Sequence, residues 1–248
     1  MRKNALYVLL AVLGFSMLPN GGNAQYKFDY GFKVGLSNYL GDIGGEDQSR
    51  RDFVWDMKLS ETRWVFGGFA RYKINNYFAV NFGGTYARIQ GADALSTYPA
   101  RRGRNLNFRN DFGEIYGRGE VYFFNENDVG NRGRYQLDFQ AYAFGGVAGI
   151  LHSPKTLYQG EYIKLRPLET EGKSYSVATV GLPVGIGFFF THKRRHRFGW
   201  ELQWTTTFTD YMDDISTDYA DGLTGTAALL ANRRPELGTI AGIPDEDF

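Results

Sequence analysis

Seven stretches of this chain alternate apolar residues with small or polar ones, period two, and most run for ten residues or more. A β-strand turns successive side chains to opposite faces, so each stretch predicts a strand with one greasy face and one polar face. In the first, Phe28, Tyr30, Phe32, Val34 and Leu36 oppose Asp29, Gly31, Lys33, Gly35 and Ser37. The second, Arg63 to Tyr72, carries Trp64, Phe66, Gly68, Ala70 and Tyr72 on one face. In the third, Phe78, Val80, Phe82, Gly84 and Tyr86 oppose Ala79, Asn81, Gly83, Thr85 and Ala87. The fourth runs from about Phe108 to Phe124, with Ile115, Gly117, Gly119, Val121 and Phe123 on one side. The fifth, Leu137 to Gly149, leaves its facing open, because both faces mix aromatic and small residues. The sixth, Tyr175 to Phe190, and the seventh, Phe198 to Phe208, alternate clearly again.

Length separates the two folds that such strands can build. A tilted strand needs about 9–11 residues to cross a bilayer, whereas strands of water-soluble sheets average about five or six. The connections alternate too. Short ones at 73–76, 125–134 and 191–197 are interleaved with long ones at 41–61, 90–107, 151–173 and 209–240. Short turns at one end and long loops at the other mark an outer-membrane barrel, and a two-sheet sandwich has no reason to show them. The expectation is therefore all-β: an antiparallel transmembrane β-barrel of about eight strands. Seven are found, and closure calls for one more. The expectation is that the closing strand lies beyond the sequence or, failing that, that Leu237 to Ile243 forms a short edge strand.

The N-terminus has a different build. Arg2 and Lys3 precede an uncharged apolar run from Ala5 to Leu18, Pro19 breaks it, and Gly22-Asn23-Ala24 offers small residues. This is the layout of a secretory signal, expected over 1–24 with cleavage after Ala24, so that 25–248 is one barrel domain. No Cys occurs, which rules out a lipid-modified cysteine and disulfide staples. A net charge of +1 makes no case for nucleic acid. The chain holds 20 Phe, 17 Tyr and 32 Gly but has a mean hydropathy of −0.38, the balance of strands that are greasy on one face only. Aromatics at expected strand ends, Tyr39, Tyr72, Tyr77, Tyr86, Phe108, Tyr122, Tyr175 and Trp204, suit interfacial girdles.

Three groups carry candidate chemistry. Lys33, Glu114, Arg118, Glu120 and Glu201 fall on polar faces; inside a narrow barrel they must pair, giving a salt-bridged plug instead of a channel. Asp210, Asp213, Asp214, Asp218 and Asp221 crowd the last long loop, but their spacing does not match a calcium loop, and a hydrogen-bonded loop is the default. His152 beside Ser153 lacks an orienting acid, so neither catalysis nor a bound cofactor or metal is expected. The turn around His192, Lys193, Arg194 and Arg195 is strongly basic. It is either a contact patch for an acidic partner or a solvated turn.

Several strings, in order, strengthen the barrel reading. They are Asn38-Tyr39-Leu40-Gly41-Asp42, Arg104-Asn105-Leu106-Asn107-Phe108 with Glu114 after it, Leu182-Pro183-Val184-Gly185-Ile186-Gly187, and Phe208-Thr209-Asp210-Tyr211-Met212-Asp213-Asp214-Ile215-Ser216. Together they resemble the PorG-like outer-membrane barrels of Bacteroidota, over most of the chain. That resemblance implies a non-catalytic component of the type IX secretion system in the bacterial outer membrane, surrounded by outer-membrane lipids. It would anchor a periplasmic ring of a PorK-like lipoprotein and a PorN-like protein. The contact residues would lie on the short turns: Asn127, Asp128 and Arg132 on one, His192 to Arg195 on another. Related barrels share these strings, so another binding or membrane-organising role stays open beside the anchor, with a small pore or lipid-modifying enzyme behind them.

Overall fold

The computed structural model describes residues 27–41, 43, 59–96, 99–129, 137–193, 195–217 and 219–237. The expected signal segment 1–24, Asp42, Arg132, Arg194, Asp218 and the tail 238–248 lie outside the described residues.

Alternation becomes strand in all seven places. The wall is built from β1 (Phe28–Ser37), β2 (Arg63–Lys73), β3 (Phe78–Ala92), β4 (Asn107–Glu126), β5 (Leu137–Leu151), β8 (Ala178–His192) and β9 (His196–Thr207). A short hairpin, β6 (Pro154–Tyr158) and β7 (Glu161–Lys164), hangs on the upper part of β4 through Arg109↔Lys155. Two small helices, α1 (Pro99–Arg104) and α2 (Gly225–Ala231), lie in the long connections. No helix among the described residues is long and apolar enough to cross a membrane.

Neighbours in the wall pair antiparallel in the order β1-β2-β3-β4-β5-β8-β9, and the sheet curls into a half-barrel. Seven strands of alternating direction leave the two outer ones, β1 and β9, running the same way, and no ladder joins them among the described residues. Of the expected eighth strand, Leu237 sits in a 3-10 turn, Arg234–Leu237, and 238–243 lies outside the described residues.

Faces follow the period as read from the sequence. Tyr30, Phe32, Val34 and Leu36 of β1 point outward, Phe32 with 92% of its surface exposed, as do Phe198, Trp200 and Leu202 of β9. Ala79, Asn81, Tyr116, Arg118, Glu120 and Tyr122 point inward and are buried. The open question of β5 resolves in favour of Tyr142, Phe144, Ala148 and Ile150 inside. A register shift between Tyr122 and Phe124 places both Phe123 and Phe124 toward the outside. Large inward rings fit because a glycine stands opposite. Tyr142 faces Gly187, where an added Cβ would lie 2.6 Å from the ring, and Tyr116 faces Gly83, where it would lie 2.3 Å from the hydroxyl. Such a pair lets an aromatic ring cover the backbone of its neighbour.

The loop end is more structured than the sequence suggested. The 151–173 connection contains the β6–β7 hairpin, because Thr156 to Ile163 alternates across the tight turn Gln159-Gly160. An apolar cluster of Ile43, Ile89, Leu106, Phe108, Tyr116, Ala148, Ile150 and Met212 seals this end of the interior. Four expected girdle aromatics therefore belong elsewhere. Phe108 is buried in that cluster with Tyr39 packed edge-on against it at 5.0 Å, Tyr122 points into the interior, and Tyr175 sits in the loops. Position parity along the strand, not nearness to its end, decides the face. Tyr72, Tyr77 and Tyr86 are exposed and Trp204 partly so, as a girdle requires.

Candidate functional site

The interior collects charge because one cross-strand row happens to be charged. Pairing puts Asp29 of β1, Arg71 of β2, Asn81 of β3 and Arg118 of β4 side by side, ending at Gly146 of β5. Glu120 lies two residues along β4 from Arg118, and so on the same face. Its carboxylate has no exposed surface and takes the Arg71 Nε at 2.6 Å, the Asn81 Nδ2 at 2.7 Å and the Tyr122 hydroxyl at 2.9 Å. Glu201 of β9 accepts from the Tyr142 hydroxyl at 2.6 Å and pairs with Arg118, with Arg71 at 3.8 Å. Arg197 reaches Asp29 from β9, linking the two outer strands through side chains. The connected network thus holds three guanidinium groups and three carboxylates.

Burial of a charge is costly unless a partner and hydrogen bonds replace water. Here they do. The two remaining cations lie over rings, Lys33 at 4.3 Å from the Tyr116 centroid and Lys73 at 4.8 Å from that of Tyr122, and the paired Arg118 also lies 4.0 Å from the Phe144 centroid. Glu114 accepts from Thr85 at 3.3 Å and Gln203 at 3.5 Å. The five interior charges expected from the sequence come together. Four further charges join them: Asp29, which the alternation already places on the polar face of β1, and Arg71, Lys73 and Arg197, of which Arg71 and Lys73 also follow from parity along β2. Arg197 lay in an expected turn; the β8–β9 ladder extends further, pairing His192 with His196.

At the loop end, most of the motif residues form a cap. Asn38 donates to Thr62 at 3.1 Å, and Gly41 leaves room for the Tyr39 ring. Asn105, at a φ of 57°, donates to the Arg233 carbonyl at 3.4 Å. Thr209 accepts from the Tyr211 amide at 3.2 Å, while Asp210 is exposed. Asp213 and Asp214 are buried. Asp214, at a φ of 74°, accepts from Thr170 at 3.0 Å and from Tyr175. Desolvation raises its carboxyl to about 6, against the pull of those two hydrogen bonds. Glu171 behaves oppositely. Burial raises it, but the Ser216 and Thr217 amides at 2.7 and 2.8 Å, with the Thr217 and Tyr211 hydroxyls, outweigh that and hold it below the ordinary carboxylate range.

Tyr211 stacks on Tyr175 at 4.6 Å, and Tyr175 lies parallel to His152 at 6.2 Å. Burial, then the Arg166 charge, lowers the His152 pKa. Neither ring nitrogen has a hydrogen-bond partner among the described residues, and the Ser153 amide donates to Asn110. That arrangement supplies no orienting group for a nucleophile. Glu114 and the Leu182 to Gly187 string stand apart from the cap, in strands β4 and β8 of the wall.

The third group lies at the opposite end. The β2–β3, β4–β5 and β8–β9 connections leave the antiparallel wall at one end. Asn127 is exposed, and Asp128 is buried with its amide donating to Asp138 at 3.1 Å. His192, Lys193 and Arg195 are exposed at the tip of the β8–β9 turn, with Lys193 at a φ of 48°.

Residues 3–223 match a family model described as a domain of unknown function, DUF6089. The chain belongs to that family. No curated protein and no solved structure matches this DUF6089 chain.

Proposed function

We propose that this DUF6089 protein is a non-conducting transmembrane β-barrel of the bacterial outer membrane that serves as an anchor for a periplasmic assembly. One observation carries the membrane part of the reading. Across its middle the wall turns an apolar, aromatic face outward on strand after strand, while Arg71, Arg118, Glu120 and Glu201 point inward and pair with one another. Water penalises such an outside and a hydrocarbon medium favours it. The three guanidinium groups and three carboxylates that pair there occupy the interior, which supports an anchor over a pore.

The anchor part rests on the PorG-like resemblance and on which surface can reach the periplasm. With short turns on the periplasmic side, the exposed His192, Lys193, Arg195 and Asn127 are the residues offered to a ring of PorK-like and PorN-like subunits, while Asp128, expected among them, is buried against Asp138 and is not. The test has two arms. Reconstituted protein should float with lipid vesicles and give no conductance step in a planar bilayer; a protein left in the aqueous fraction, or steady ion channels, refutes the reading. Separately, Lys193→Glu with Arg195→Glu should reduce co-purification of a ring-forming lipoprotein from native membranes while flotation is retained. Unchanged co-purification leaves the barrel standing and removes the anchor.

A further inference from the structure

Above the apolar belt, the outward face of β3, β4, β6 and β7 changes character. On β3 the outward series passes from Tyr86 to Arg88, and on β4 it passes from Ile115 through Gly113 to Asp111 and Arg109. Register carries the row onward: Arg109 pairs with Lys155 and Lys155 with Lys164, so all three share one face. Four cations thus share one face with Asp111, which takes the Arg88 Nε at 2.5 Å and the Arg109 Nη2 at 3.1 Å, while the neighbouring Glu61 carboxylate is engaged by Gln90 and Arg63. Aromatic rings floor the patch. The Arg88 guanidinium lies 5.1 Å from the Trp64 centroid, and that of Arg109 lies 4.7 Å from the Tyr162 centroid.

We infer that this patch is a binding site for the phosphate groups of a phosphorylated lipid in the outer leaflet. The inference rests on the membrane reading above, since that places the long-loop end at the outer surface. Like-charged neighbours in adjacent strands repel and are disfavoured unless an anion sits between them. Asp111 compensates Arg88 and part of Arg109; Lys155 and Lys164, facing each other across the hairpin, have no carboxylate partner among the described residues. Location selects the ligand. The patch begins one outward position beyond Tyr86, level with Trp64, where aromatics mark the interface and a headgroup phosphate resides. Guanidinium forks suit phosphate oxygens, and rings beneath them hold the forks in plane.

The test uses the full-length protein folded in zwitterionic micelles, titrated with a bisphosphorylated glycolipid or its dephosphorylated counterpart and read by native mass spectrometry. The wild type should bind the phosphorylated lipid more tightly, and Arg109→Gln/Lys155→Gln/Lys164→Gln should weaken that binding by on the order of a hundredfold, each near-surface cation contributing roughly fivefold. Lys164→Gln alone, at an exposed position, should cost about fivefold. Equal affinity for the two lipids, or an unaffected triple variant, overturns the inference and leaves the barrel reading intact. Displacement of the lipid by inorganic phosphate at matched concentration also overturns it, by revealing a site for free anions. Failure to float with vesicles of any composition sinks the membrane reading and this inference together.

Discussion

Arg71 and Glu120 stand two strands apart in the wall, yet the Arg71 Nε lies 2.6 Å from Glu120 Oε2, behind the intervening Asn81, which itself donates to Glu120. Their contact ties β2 to β4 across β3, and the bonds from Glu201 to Tyr142 and Arg118 tie β9 to β5 and β4. The interior is thereby a cross-brace for the wall, made of charge where a water-soluble sheet would use hydrocarbon.

Removing one end of that brace should cost far more than removing both. Arg71→Met leaves the Glu120 carboxylate buried without its main partner and is expected to destabilise the folded barrel by about 3–5 kcal/mol. Arg71→Met with Glu120→Gln should recover a substantial part of the loss. Denaturant unfolding in micelles, followed by tryptophan fluorescence, measures these and Glu120→Gln alone; a double-variant loss equal to the sum of the two single losses would mean that the two charges act independently.

The glycine–aromatic pairs make a sharper prediction. A Cβ at Gly83 meets the Tyr116 hydroxyl at 2.3 Å and the Gly68 carbonyl oxygen at 2.6 Å, whereas at Gly113 nothing lies within 4 Å. Gly83→Ala should destabilise by about 1–3 kcal/mol through overpacking. Gly113→Ala should stay within about 0.5 kcal/mol of wild type. The same unfolding measurement decides it, and similar values for the two would dismiss the packing account.

Acidity should act on the cap in two opposite ways. Asp214 titrates at about 6 when folded and at about 4 when unfolded, so between those values the folded chain holds a proton that the unfolded chain releases. Its contribution to stability is present in full below about pH 4 and is lost as pH rises through about 6, a difference of up to roughly 3 kcal/mol. Glu171, held low, contributes above the ordinary carboxylate range and loses that contribution as pH falls through its lowered value. Hydrogen exchange of the 209–217 amides should therefore quicken between pH 4 and pH 6 beyond its intrinsic base-catalysed rise. Asp214→Asn should abolish that excess, and an excess surviving the substitution assigns it to another group.

Outward and inward positions one residue apart on β9 should respond differently to charge. Leu202→Arg puts a guanidinium on the greasy face and is expected to cost about 2–4 kcal/mol at the bilayer midplane. Gln203 points inward, toward Glu114 and Thr205, and Gln203→Arg places the same charge beside a carboxylate. Folding yield into vesicles should fall for the first and be retained for the second; equal yields would contradict a lipid-facing outer surface.

Much of this architecture is a local property and could be read residue by residue. Side-chain direction in a strand depends only on parity, so Phe32 outward and Lys33 inward follow from the alternation around them. The same holds for Glu114, Arg118, Glu120 and Glu201. Loop structure was less legible: the β6–β7 hairpin is made of two strands of five and four residues, too short for alternation to stand out. Tyr122 was assigned to a girdle on proximity to a strand end, although parity placed it inside.

By itself the sequence determined the seven wall strands, the faces of all but β5 and the segregation of charge to the polar side, because all three depend on neighbours one and two residues away. Tertiary structure alone decided the partners. Arg71 and Glu120 are 49 positions apart in the chain and Arg118 and Glu201 are 83 apart, and they meet only because strand register and curl bring those faces together. Register is set by the whole set of ladders, and curl by the twist they accumulate. No local pattern encodes either one.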